Sequence, residues 1–414
     1  MYKVWYSTES FANYIIKYTN LSGRRPEKAR MFESDASHPS EFHKMPDHIK
    51  KILYLDAPDI IVEYNSEPIF SIEISKEAGT GHNVFQRFAR LSAAVENDVP
   101  AIFIYPEAAI ITRRSRMPGH PSSVKWDELN GLIFKALKES MDIYNIPALF
   151  FYFPSDFRSC PDPLTSTHRA SKGLLLDRRV YADCPLHTDN EMTALFDCLN
   201  EIISTVERYG VIEGRSKLLR EPHIRARKAY MESEIVRKGV TGGESPISST
   251  KIVPTSYLLN YLSKFTSGAY HVGKLLRDRP ETLVYCVDAG FRGDPYSGAL
   301  AAIDYLKCRK GKTFEDRYYN LVLCWGSVTE DHVNRTISVS STKCVVQDFF
   351  DTVKNCNSKS LLGKNYVDLR PAEIPRYYMQ VRYGSSYSKV KHIRVFSFFA
   401  DAILFTDGAL WRDA

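Results

Sequence analysis

Residues 58–76 read PDIIVEYNSEPIFSIEISK, and two of them, Asp59 and Glu73, are the residues best placed in the chain to do chemistry. Two short runs rich in β-branched residues flank a polar Asn65-Ser66 pair, which is the pattern of a hairpin. Side chains alternate across a strand. Asp59, Ile61 and Glu63 then share one face of the first strand, and Ser71, Glu73 and Ser75 share one face of the second. Ile60, Val62 and Tyr64, with Phe70, Ile72 and Ile74, take the other faces. Asp59 and Glu73 are therefore expected to meet on the polar face of a sheet whose other face is buried. Paired carboxylates on adjacent strands suit a hard, oxygen-seeking cation such as Mg²⁺. A cation held there polarises a phosphodiester and activates a water. The plainer reading is that Asp59 caps a turn and Glu73 lies on a solvated strand face.

The elements around the hairpin follow from periodicity. Residues 46–55 (PDHIKKILYL) read as a short helix before it. Residues 83–97 read as a helix after it, with Phe85, Phe88, Ala89, Ser92 and Val95 on one face. Residues 100–105 (PAIFIY) read as the next buried strand. Pro58-Asp59, then Glu73 with a lysine close by, on a hairpin followed by a helix and a strand, resembles the core of the PD-(D/E)xK nucleases. That family includes most type II restriction endonucleases, and the resemblance covers residues 46–105.

The resemblance implies an α/β fold with a mixed sheet flanked by helices. It implies a Mg²⁺ site at Asp59 and Glu73, with Lys76 stabilising the phosphate or positioning the attacking water. Gln86 and Arg87 would orient the scissile phosphate. Double-stranded DNA would be the substrate, cut at a fixed site, and a homodimer would cut both strands. The chain departs from the family at one position: the lysine would fall at 75, which is Ser75, and Lys76 comes one residue late. Three readings stand open. A bulge or the strand end turns Lys76 inward, Arg87 supplies the positive charge, or a second metal or a water replaces the lysine. Glu9, Glu33 and Glu41 are equal candidates for a third acidic group. Two other functions share the pattern: a DNA-binding protein on a degenerate nuclease fold, and a structure-specific repair nuclease.

A chain of 414 residues suggests about two or three domains. The composition is that of a globular protein, 44% hydrophobic and 25% charged, and its net charge of +6 suits a polyanion. The start lacks a signal-peptide pattern and no run of about 18 apolar residues occurs, so no membrane span is expected. Eight cysteines without a Cys-x-x-Cys pair fit a reducing, cytoplasmic setting. Cys286 and Cys324 read as core thiols. Cys160, His168, Cys184 and His187 are open to two readings, a loose zinc set or ordinary loop residues. Gly79 to Asn83 lacks the lysine of a P-loop; it reads as a phosphate-contacting loop or as a turn with Asn83 as N-cap.

Three segments are expected: 1–153 nuclease-like, 154–240 a connector and helices, and 255–414 an α/β unit for DNA recognition. Residues 154–187 read as irregular, 189–209 as a helix capped by Asp189, and 239–254 as a linker rich in Gly, Ser and Pro. The basic helical stretch 213–239, with Arg215, Lys217, Arg220, Arg225, Arg227 and Lys228, is open to two readings, a solvated face or a phosphate-contacting one. Residues 283–288 and 321–325 read as buried strands around a helix at 298–307, an order that echoes the first unit. That echo reads either as an internal duplication lacking the catalytic set or as unrelated recurrence. Residues 393–406 read as core strands. Residues 376–394 hold no acidic residue and interleave tyrosines with cations. The segment is open to two readings, an ordinary surface hairpin whose tyrosines are strand formers, or a DNA-binding segment with Arg376, Gln380, Arg382, Tyr383, Ser385, Lys389, Lys391 and Arg394 as the candidates.

Overall fold

The structure is a computed structural model, and it describes residues 1–32, 39–53, 57–76, 82–113, 123–129, 131–156, 173–178, 180–239, 248–264, 278–287, 308, 318–340, 401–406 and 408–411. The DNA-binding candidates at 376–394 lie outside the described residues, as do Cys160, His168, Glu33 and the expected helix at 298–307.

The first half opens with β1 (Tyr2–Tyr6), α1 (Glu9–Tyr18) and β2 (Glu27–Arg30), then the short helices α2 (Pro39–Lys44) and α3 (Asp47–Lys50). The hairpin β3 (Ile60–Tyr64) and β4 (Glu67–Ile74) follows, then α4 (His82–Glu96) and β5 (Ala101–Pro106). A side hairpin, β6 (Ala108–Arg113) with β7 (Ser123–Glu128), precedes α5 (Gly131–Tyr144) and β8 (Ala148–Phe153). The strands form a six-stranded sheet in the order β2-β1-β3-β4-β5-β8. It is mixed: β3 runs antiparallel to β1 and β4, while β5 is parallel to β4 and β8 parallel to β5. Helices α6 (Asn190–Tyr209), α7 (Val211–Lys217) and α8 (Pro222–Lys238) complete this half. Asp189 caps α6 by accepting from Glu191 N at 2.9 Å, satisfying an otherwise orphaned amide.

The expected hairpin turn is present. Asn65 and Ser66 both take positive φ, 53° and 64°, the backbone of a tight turn that matches strand twist. The expected face assignment needs one correction. The face bearing Ser71 and Glu73 is not open to water: both residues are buried, as are Ile61 and Glu63. Helix α4 packs on β4 and β5 and covers it, so both faces of the central strands are buried.

The second half is smaller. It holds β9 (Ser248–Pro254), α9 (Thr255–Leu262), β10 (Glu281–Val287), β11 (Asn320–Trp325), the hairpin β12 (Ser327–Asp331) with β13 (Thr336–Ser340), and β14 (Ala402–Phe405) with β15 (Gly408–Trp411). Its sheet runs β15-β14-β11-β10-β9. The segment read as a linker thus ends in a strand, paired antiparallel to β10 from Ser248 to Pro254. The two faces of β10 separate two cores. Leu283 and Tyr285 join the large core of the first half, and Val284 and Cys286 line a smaller core with Val253, Leu258 and Val322. No helix among the described residues is long and apolar enough to cross a membrane.

Candidate active site

The site is built by the end of β4 and the helix that follows it. Pairing of Ile60 with Ile72 and of Ile61 with Ser71 sets the register, and Asp59 N donates to Ile72 O at 2.9 Å, just before β3 begins. Asp59 therefore stands beside Glu73. Its Oδ2 accepts from Ile74 N at 2.8 Å, and its backbone oxygen accepts from Ser7 N at 3.0 Å, tying it to the end of β1.

Glu73 is 3% exposed. Its Oε1 accepts from two guanidiniums, Arg87 Nη1 and Arg90 Nη1, the second at 2.5 Å. Arg87 Nη1 also donates to Ile74 O at 3.2 Å. Both arginines lie on α4 three residues apart, so they share the face turned to β4. The other oxygen, Glu73 Oε2, is buried and has no hydrogen-bond partner among the described residues. A buried polar atom without a partner is costly unless a ligand or water completes it.

Asp59 carries a displaced carboxyl. Burial of its carboxyl pushes its pKa up to about 7, and the charge of Glu73 adds to the rise. The Ile74 amide and the Arg90 and Arg87 charges offset part of this. A strongly displaced carboxyl beside a second carboxylate is a recurrent mark of a functional site.

The other expected residues fall in different places. Ser75, at the family's lysine position, is buried, and its amide donates to Ile104 O at 2.8 Å. Strand β4 ends at Ile74, and Lys76 beyond it pairs with Asp183 at 3.1 Å. Gln86 lies within α4. Glu9 pairs with Lys28 at 2.5 Å and Glu41 with Lys44 at 2.8 Å, both on exposed side chains. Cys184 is buried, and His187 Nδ1 lies 2.6 Å from Asp177 Oδ2 with its ring stacked on Tyr18. Of the basic stretch 213–239, Arg227 is buried against Phe150 O and Glu191, and Arg215 packs against Pro68 O beside Glu67. Those two cations hold the fold together.

Sequence reading passed over two features. Arg90 was legible as the i+3 neighbour of Arg87. The second is a cluster on the same sheet face: Glu63 Oε2 accepts from Trp5 Nε1 at 2.7 Å and lies 3.0 Å from His48 Nε2. No local signal links residues 58 positions apart such as Trp5 and Glu63. Among the described residues no group of three or more His, Cys, Asp or Glu side chains surrounds one point. A cavity of about 380 Å³ opens where α6 meets the start of α8, lined in part by Asn200, Glu201, Arg208 and His223. It lacks Asp59, Glu73 and the two arginines, and Glu201 is already used there as a cap for the first amides of α8.

No family model, curated protein or solved structure matches this chain. Function must then be argued from the site itself.

The residues present fit a hard divalent cation. Two carboxylates stand side by side, one with an unsatisfied buried oxygen, and Ile74 O faces the same point as Glu73 Oε1, since one guanidinium nitrogen reaches both.

Proposed function

We propose that this protein is a Mg²⁺-dependent endonuclease that cuts double-stranded DNA at a fixed site, with a core of the PD-(D/E)xK kind. The observation that carries the reading is the Asp59–Glu73 pair at the end of β4, Asp59 half-buried and Glu73 buried, with an orphaned carboxylate oxygen and two guanidiniums against it. An antiparallel hairpin leading through a helix into a parallel strand, as β3, β4, α4 and β5 do, is the arrangement that the resemblance implies. Asp59, Glu73 and Ile74 O would hold the cation. Bound there, it would supply Lewis-acid activation of the phosphodiester and of a water. Arg87 and Arg90 contact Glu73 and would bind the phosphate, since a planar guanidinium matches phosphate oxygens. Lys76, held by Asp183, would need to leave that partner to take part. A homodimer would cut both strands. The buried cysteine thiols Cys184, Cys198, Cys286, Cys308 and Cys324 favour a cytoplasmic setting.

One observation favours the second reading, a DNA-binding protein without cleavage: Ser75 occupies the lysine position and is buried. Incubating the protein with unmethylated phage DNA in Mg²⁺ and in EDTA separates the readings. Discrete fragments that need Mg²⁺ support the site-specific nuclease. Intact DNA that is shifted on a gel supports the binding protein, and a smear supports a structure-specific or nonspecific nuclease.

A further inference from the structure

Arg87 occupies an unusual position for a side chain proposed to meet substrate. Its Nη1 donates at once to Glu73 Oε1 and to Ile74 O, a side-chain carboxylate and a main-chain carbonyl that converge on one point. Bridging two hard oxygens is what a small cation does. Arg90 donates to the same carboxylate oxygen at 2.5 Å from the next turn of α4. The Arg87 and Arg90 side chains are only 21% and 17% exposed, so water screens this cluster weakly. With both guanidiniums in place the surroundings of Glu73 already hold two positive charges. A divalent ion must enter against them.

We infer that Arg87 is a stand-in cation: it holds Glu73 Oε1 and Ile74 O in the metal-free protein and competes with the divalent ion for both. This rests on the metal reading of the site proposed above and goes beyond it, because it fixes the sign of a substitution's effect. Losing a metal-site neighbour ordinarily weakens binding. Losing Arg87 strengthens it, because a competitor and a like charge leave together. Arg90 shares Oε1, and Arg87 holds the carbonyl as well, so the loss of Arg90 has the same sign and a smaller size. Glu73 keeps one guanidinium in either variant, so neither substitution strands a buried charge.

The test is calorimetric titration of the full chain with Mn²⁺, without DNA, on the wild type and on Arg87→Gln, Arg90→Gln and Glu73→Gln. Arg87→Gln is expected to tighten Mn²⁺ binding by about tenfold, and Arg90→Gln by about threefold, within the usual span of coupling between two ligands. Glu73→Gln is expected to abolish the binding. Mn²⁺ binding that Glu73→Gln abolishes but Arg87→Gln leaves unchanged or weakens overturns this inference and spares the metal site. No binding by any of the proteins overturns both. Where Arg87→Gln does not fold, Arg90→Gln decides: unchanged or weaker binding counts against the inference, tighter binding for it.

Discussion

Two sheets in this molecule share a plan and differ in what they bury. In the first, β3-β4-β5-β8 run antiparallel, then parallel, then parallel, and in the second β9-β10-β11-β14 repeat that order and those directions. The buried polar groups on β10 and β11 are neutral and answer one another. Thr282 Oγ1 lies 2.9 Å from Thr255 Oγ1 and accepts from Asn320 Nδ2 at 3.2 Å. At the other end of those strands Cys286 faces Cys324, thiol against thiol. The first sheet instead buries Glu63 and Glu73, ionisable groups whose partners come from other elements. A neutral cluster that satisfies itself belongs to folding. A carboxylate with one oxygen left over, beside a second carboxylate displaced toward neutral pH, costs stability, which is the mark of a candidate functional site.

That contrast is sharpest in the pH dependence of the metal-free protein. The folded-state pKa of Asp59 is pushed up to about 7, above its unfolded value of 3.8, so the fold favours the protonated form. Its contribution is fully present below pH 3.8 and is lost as pH rises through 7. Asp59→Asn keeps a neutral group at that position and suffers no such loss. Denaturant unfolding in EDTA at pH 5 and at pH 8 should therefore show the variant gaining on the wild type with rising pH, by about 2–3 kcal/mol between the two. An advantage that does not grow with pH would remove Asp59 as the buried titrating group.

The second sheet should respond in the opposite sense. Asn320→Ala leaves the Thr255 and Thr282 hydroxyls short of a partner and should cost about 1–3 kcal/mol of unfolding free energy, with little change between pH 5 and 8. Cleavage per folded molecule should stay at the wild-type level. A variant that folds normally but no longer cuts would move the chemistry toward the second sheet.

Smaller again is the effect of pH on metal. If Asp59 is a metal ligand, only its ionised form binds the cation, so Mn²⁺ affinity should rise about tenfold between pH 6 and pH 8. A flat profile in titrations over that range would show that Asp59 is not a ligand. The smallest effect is expected at Lys76, which is half-exposed and paired with Asp183. Lys76→Ala should change stability by less than about 0.5 kcal/mol. If Arg87 and Arg90 supply the charge, it should also leave single-turnover cleavage within about threefold of wild type. A loss beyond a hundredfold would return Lys76 to the role that the family resemblance implies for it.

How much of this was legible in the sequence follows the range of the interactions. The hairpin, the helix at 82–96 and the strand at 101–106 announce themselves through period and turn residues within about 15 positions. The Asp59–Glu73 pairing is legible for the same reason, because a tight turn at Asn65-Ser66 fixes the register. The burial of that face was not, since it depends on how α4 settles over β4 and β5. Trp5 on Glu63 and Asp183 on Lys76 join distant parts of the chain and leave no local trace. The strand at 248–254 was hidden by its composition: Gly, Ser and Pro before it read as a linker. Its closing Pro254 stands at a strand end, where a missing amide is tolerated.

The central claim is that the charged pair of the first sheet is the catalytic centre, and one rate measures it. Single-turnover cleavage of unmethylated phage DNA in Mg²⁺ should fall by about three orders of magnitude in Glu73→Gln, with circular dichroism showing the fold intact. A folded Glu73→Gln protein that cuts at the wild-type rate would contradict the account.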